Sequence, residues 1–253
     1  MAAFRHAVAN KIDCIELDVR RTLDNQIVVF HDANLARMTN GVVQKSIEEM
    51  NYADLPLLTP SEEVQKTSGD TTQYAIPLFE EVLGLIDENP KLCMIVEFKE
   101  NDDQLIEEVH RRITAKERKN RIIWFSLKTD IVTKLRAYDP SLPTIVGALE
   151  ALQFILYYYI GILPFMTMPF AVFGITLQEL PLSKLRSEKA LAPVPDVIKR
   201  ALAWLLDGTP PWFLTSPALF RHLQERGYPI WFLGCNEERH IEAGEKLGAH
   251  GVL

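Results

Sequence analysis

Residues 14–32 read Cys-Ile-Glu-Leu-Asp-Val-Arg-Arg-Thr-Leu-Asp-Asn-Gln-Ile-Val-Val-Phe-His-Asp, and this stretch constrains the fold more than any other. Glu16 and Asp18 alternate with Ile15, Leu17 and Val19. Side chains two apart on a strand share a face, so both carboxylates point one way and the aliphatics the other. A second apolar run, Ile27 to Phe30, ends abruptly at His31-Asp32. Two acids set against an apolar layer repel each other unless a cation joins them. An acid pair on one strand beside an imidazole at the end of the next therefore points to metal-assisted chemistry. A polar sheet face carrying surface acids is the plainer alternative.

The remaining chain accommodates such a site in an α/β protein. Its 253 residues suffice for one large domain or two small ones. The net charge of -7 argues against a nucleic-acid binder, which needs a basic stripe. Cys14, Cys93 and Cys235 cannot all pair, and each falls in or beside an expected strand, where a small thiol suits a core; this reads as a reducing compartment.

Met1 to Ala9 has helical spacing, and Pro77 opens a helix running to about Ile86. Residues 57–73 are polar and read as a surface loop. Cys93 to Val96 is an expected strand, after which Glu97 and Lys99 share a face. Asp102 caps a helix with Leu105, Ile106, Val109 and Ile113 as its apolar stripe. Ile122 to Leu127 and Thr144 to Leu149 read as strands, with a helix over Thr129 to Tyr138 between them and Ile131, Leu135 and Tyr138 inward. Further on come a helix from Pro195, a strand over Trp212 to Thr215, a helix opened by Ser216-Pro217, a strand over Tyr228 to Cys235 and a last strand from His250. His6, His110, His222 and His240 fall on expected helices, away from strand ends. The alternation implies a parallel sheet with covering helices. Polar residues gather at the C-terminal strand ends, where both barrels and open sheets place their sites. No Gly-x-Gly-x-x-Gly follows a strand, which removes the main dinucleotide reading.

From Ala151 to Gln178 there is no charged residue. Pro164 and Pro169 break this run, and sheet-forming segments lie on both sides, so one through-going helix is disfavoured. A bent hairpin dipping into one leaflet fits, with Lys184, Arg186 and Lys189 meeting anionic headgroups. A buried strand plus a core helix is the alternative.

Taken together, Glu16-Leu-Asp18-Val, Val-Val-Phe-His31-Asp32, Leu35 through Arg37, Thr39 and Gly41, Ile76-Pro77-Leu, Val-Glu97-Phe-Lys99, Arg226-Gly-Tyr-Pro-Ile-Trp231 and Leu247-Gly-Ala-His-Gly-Val resemble the glycerophosphodiester phosphodiesterase family. The Tyr-Tyr-Ile-Gly-Ile-Leu-Pro-Phe segment is similar to the membrane-associated, lysophospholipase D-like branch. The resemblance implies a TIM-type (β/α)8 barrel over residues 1–253 and a divalent cation, Ca²⁺ or Mg²⁺, held by Glu16, Asp18 and Glu97. It implies His31 as a general acid/base, Lys99 facing the phosphate and Trp231 lining the substrate pocket. Three carboxylates favour such a hard ion over zinc.

The family also carries an earlier His-Arg-Gly strand and a Glu-Asn-Thr, and a Thr-Asp after the last strand. Met-Ala-Ala-Phe resembles the family's residues directly after the Glu-Asn-Thr, so the expectation is an incomplete barrel, its first strand missing and its last cut short, with weak turnover. The expected function is hydrolysis of phospholipid-derived phosphodiesters at a membrane facing the cytoplasm or an endomembrane, with residues 151–178 as the contact segment. The rivals are a non-catalytic membrane-binding barrel and a different metal-dependent barrel enzyme.

Overall fold

The computed structural model describes residues 1–60, 65, 69, 72–176 and 213–253. The chain divides into two compact units, Met1–Trp124 and Phe125–Leu253.

In the first unit, helix α1 (Ala2–Ala9) precedes strand β1 (Cys14–Arg21). The alternation read from the sequence gives β1 its two faces: Ile15, Leu17 and Val19 are buried on one, and Glu16, Asp18 and Arg20 occupy the other. Strand β2 (Ile27–Val29) returns antiparallel, with Val19 opposite Val29. An all-parallel sheet is therefore not what forms. The link Thr22–Gln26 is far shorter than the dozen or so residues a parallel crossover needs. It closes as a turn, with the Thr22 hydroxyl donating to Asp24 at 2.6 Å and Asn25 at φ 62°.

Pro77 precedes helix α2 (Phe79–Glu88), where Glu81 accepts from the Leu78 N–H at 2.8 Å. Strand β3 (Cys93–Phe98) pairs parallel to β1, from Cys14 opposite Cys93 to Val19 opposite Phe98. Helix α3 (Asp103–Thr114) is capped by Asp102, which accepts from Gln104 and Leu105 N–H, and it buries the expected Leu105, Ile106, Val109 and Ile113. Strand β4 (Ile122–Phe125) completes the order β2-β1-β3-β4.

The register corrects the cysteine reading. Cys14 and Cys93 are not separate core thiols; as direct cross-strand neighbours, with Cα atoms 4.4 Å apart, they form a disulfide. Cys235 is the free cysteine.

In the second unit, helix α4 (Thr129–Tyr138) buries Ile131, Val132 and Leu135, while Tyr138, expected inward, is exposed at the helix end. The strand expected at Thr144–Leu149 is reduced to bridge residues at Thr144 and Ile145, the latter parallel to Val172, because helix α5 (Ala148–Tyr159) starts there. Gly147 permits this start: a Cβ on it would stand 2.8 Å from Thr129 Oγ1. Strands β5 (Phe173–Thr176), β6 (Ile230–Leu233) and β7 (Gly251–Val252) pair in parallel in that order. Between β5 and β6 lies helix α6 (Pro217–Glu225), capped by the Ser216 hydroxyl as expected. Residues 213–215 form a turn and not part of a strand. Helix α7 (Glu238–Lys246) joins β6 to β7.

The uncharged run divides. Ala151, Phe154, Ile155, Leu163, Met168, Phe170, Phe173 and Ile175 are buried in this unit's core together with Phe220 and Phe232. Most of the run is thus the core helix and buried strand of the plainer alternative. What stays outside is the tip, with Ile160 65% and Phe165 86% exposed. No helix among the described residues is long and apolar enough to cross a membrane. Lys184, Arg186, Lys189, Trp212 and the helix expected from Pro195 lie outside the described residues.

Candidate active site

Parallel register places Asp18 directly opposite Glu97, and period two places Glu16 on the same face. Oxygens from Glu16, Asp18 and Glu97 all lie within 4.8 Å of one another. Lys99, two residues beyond Glu97, brings its Nζ to 2.6 Å from Glu97 Oε2 and 2.9 Å from Asp18 Oδ1. The ion pair that is the plain structural role for Lys99 is therefore present, and it extends to a second acid.

One ammonium does not balance three acids. Burial pushes Glu16 up to about 8, reinforced by the nearby Asp18 and Glu97 charges and opposed by Lys99. Burial likewise raises Glu97, with Lys99 opposing. Burial disfavours the Lys99 charge, but Glu97 and Asp18 outweigh it and hold the ammonium above its usual value. Glu16 Oε1 is buried with no hydrogen-bond partner. A buried, unpartnered oxygen in an all-carboxylate set is what a hard cation with oxygen preference fits.

His31 follows β2 closely, one residue beyond Phe30. The Phe30 N–H donates to Asp18 C=O at 3.0 Å, which ties the end of β2 to the acidic strand. His31 Nδ1 is 2.9 Å from Asp32 Oδ1, and Asp32 accepts from Arg37 Nε at 2.6 Å and from its Nη2 at 3.0 Å. The Arg37 hydrogen bond holds the Asp32 carboxyl below its usual value, against burial and with help from His31. A carboxylate partner places the hydrogen on Nδ1 and leaves Nε2 for proton exchange. Glu16, Asp18, His31, Asp32 and Arg37 line one cavity of about 480 Å³, whose other walls include Phe4, Met38, Leu58 and Pro77.

The four residues singled out at the strand ends, Glu16, Asp18, His31 and Glu97, thus gather in the first unit, with Lys99 among them. Trp231 belongs to the second unit. It is half-buried on β6, and its indole lies 3.1 Å from where a Gly251 Cβ would stand. The role of Asp32 and Arg37 as partners of the imidazole was not read from the sequence. Nor was that of Arg20, although it continues the Glu16, Asp18 spacing.

Parallel strands with covering helices, and acids gathered on one strand face beside an imidazole, define an α/β protein with a candidate metal-assisted site. Comparison with known proteins then identifies the family: the glycerophosphoryl diester phosphodiesterase family matches residues 1–152, and the chain belongs to it. Lysophospholipase D GDPD1 of Rattus norvegicus is 31% identical over 261 residues, covering 100% of this chain and 77% of that protein. Lysophospholipase D GDPD3 of Homo sapiens is 29% identical, covering 100% and 76%. Among solved structures, a glycerophosphoryl diester phosphodiesterase domain from Mycobacterium tuberculosis superposes with TM-score 0.68 at 16% identity, over 100% of this chain and 88% of that one. An Oleispira antarctica phosphodiesterase in complex with the product sn-glycerol-3-phosphate gives TM-score 0.64 at 16% identity, over 100% and 85%. The fold is of the TIM-barrel type and the chain is a phosphoric diester hydrolase. Among the described residues the strands form two sheets and not a closed barrel.

Proposed function

We propose that the chain hydrolyses lysophospholipids and glycerophosphodiesters with Ca²⁺ or Mg²⁺ held by Glu16, Asp18 and Glu97. The observation that carries this reading is the convergence of three carboxylate oxygens within 4.8 Å, with Lys99 between two of them. When bound, a hard cation supplies charge neutralisation for the phosphate oxygens. Lys99 adds a fixed positive charge for the anionic diester. His31 exchanges a proton through Nε2 while Asp32, braced by Arg37, holds the ring. Water adds to phosphorus and the headgroup alcohol, choline or ethanolamine, leaves with a proton. Glycerol phosphate or lysophosphatidate remains. Trp231 is assigned to the substrate pocket by the family resemblance.

Among the described residues lining the cavity, His31 is the one imidazole. A positioned proton-transfer group contributes about 10²–10⁴-fold, so with a single one turnover is expected to be slow. The test is release of choline from lysophosphatidylcholine and from glycerophosphocholine, with Ca²⁺, Mg²⁺ or chelator. Cation-dependent release that His31→Gln abolishes supports the reading. Cation binding without hydrolysis of any phosphodiester favours another metal-dependent barrel enzyme. Vesicle binding with neither favours a non-catalytic barrel.

The reading extends to a membrane face, either cytoplasmic or endomembrane. Its support is narrower than the whole uncharged run: the tip that keeps Ile160 and Phe165 in solvent. Co-sedimentation with phosphatidylcholine–phosphatidylserine vesicles should fall on Ile160→Ser/Phe165→Asp, with thermal stability kept. Equal binding by both proteins would remove the membrane claim.

A further inference from the structure

We propose that Arg20 is the positioning residue of His31, fixing the main chain at the histidine relative to the acidic strand. The proposal rests on His31 being the proton-transfer group described above.

Arg20 follows Glu16 and Asp18 on the same face of β1, but only 4% of its side chain is exposed. A guanidinium buried to that degree is costly unless its donors are met. Its Nη1 donates to Glu48 at 3.0 Å and to Glu100 at 2.7 Å. Its Nη2 donates to the main-chain carbonyl of His31 at 3.3 Å. Its Nε is buried with no hydrogen-bond partner, so the side chain is not there because every donor is satisfied. One fork instead joins three segments distant in sequence: the Ile47–Glu49 turn, the chain just past β3, and His31 just past β2.

His31 needs such a tie. The main-chain bonds from β2 to β1 end at Phe30, whose N–H donates to Asp18 C=O, one residue before His31. The Asp32–Arg37 pair holds the ring from the side, and Arg37 is 66% exposed. Arg20 holds the carbonyl from inside. Lysine could not replace it, because a single ammonium on a flexible stem does not present rigid donors in two directions. The two glutamates are partly exposed, 32% for Glu48 and 44% for Glu100, so both can hydrate if the arginine is removed.

The test uses Arg20→Met and Arg20→Lys, and Glu48→Gln/Glu100→Gln as a milder variant that leaves Arg20 in place. Four quantities are read: Ca²⁺ affinity, melting temperature, kcat against KM for lysophosphatidylcholine, and the His31 ring signal in protein carrying ¹³C-labelled histidine. The expected result is kcat lower by about tenfold or more with KM and Ca²⁺ affinity within about twofold. The His31 signal shifts or splits while those of His110 and His240 stay in place, and Arg20→Lys does not restore it. An unchanged His31 signal with kcat within about twofold overturns the proposal. So does a general loss in which melting temperature, Ca²⁺ affinity and every histidine signal move together, since that marks a purely structural arginine. If the unsubstituted protein cleaves no phosphodiester but the His31 signal alone responds to Arg20→Met, positioning stands and the phosphodiesterase reading fails.

Discussion

Two buried charge clusters, one in each unit, are built in opposite ways. In the second, Glu150 is met by Arg136 through two bonds of 2.9 and 2.6 Å, and Glu150 also accepts from the Gly147 N–H. Acid and base are matched one to one. In the first, Glu16, Asp18 and Glu97 converge, and among the described residues Lys99 is the cation that pairs with two of them. The pair balances in charge, although Arg136 Nε stays without a hydrogen-bond partner, and it joins α4 to the start of α5. A cluster with acid in excess is unfavourable as it stands and becomes favourable when a cation supplies the missing charge. Both arrangements arise from acids in an apolar setting. The imbalance, more than the burial, separates the site from the scaffold.

The largest expected effect breaks the matched pair. Arg136→Met leaves Glu150 buried without its cation and should cost about 3–5 kcal/mol in denaturant unfolding. Arg136→Met/Glu150→Leu should recover much of it. A cost near zero for the single variant would erase the contrast between the units. Lys99→Met should behave differently. It deepens the imbalance, so Ca²⁺ affinity rises by about tenfold, because the lysine no longer competes for Asp18 and Glu97 oxygens, while turnover falls by about 100-fold. Weaker Ca²⁺ binding in Lys99→Met would mean the lysine organises the acids and does not compete with the cation.

Much of the site is legible in the sequence, for definite reasons. Period two in Glu16-Leu17-Asp18 fixes a face without any partner being known, and Glu97 and Lys99 repeat the device. Asp102 and Ser216-Pro217 announce their helices through local capping chemistry. What failed depended on register and on distant partners. The bond between Cys14 and Cys93 becomes apparent only once β1 is laid beside β3, across a sequence separation of 79. The antiparallel return of β2 was masked by the alternation of the rest of the chain. Arg20 shows the right spacing, but its partners Glu48, Glu100 and the His31 carbonyl come from other segments. The uncharged run looked uniform because hydrophobicity does not distinguish a core helix from an exposed tip. Burial divides it between Phe154 and Phe165.

A smaller effect sharpens the same contrast through pH. Glu16, raised from 4.5 to about 8, keeps a proton in the cation-free folded state that the unfolded chain releases above pH 4.5. The folded state then binds more protons, so the Glu16 contribution makes stability fall as pH rises from about 4.5 to about 8. Cation binding requires the carboxylate. Affinity should therefore climb by up to about tenfold per pH unit below 8 and level off above it, with a proton released on binding. Calorimetry in buffers of different ionisation enthalpy reads that proton directly, and pH-independent affinity between about 6 and 8 would contradict the assignment of Glu16.

The central claim is that Glu16, Asp18 and Glu97 together hold one hard cation. Calorimetric titration of the chelator-treated chain with Ca²⁺ and with Mg²⁺ tests it most directly, beside Asp18→Asn and Glu97→Gln. The account predicts a single site in the unsubstituted chain, weakened by about 100-fold or more in either variant. No binding in the unsubstituted chain, or equal affinity in all three proteins, would contradict it.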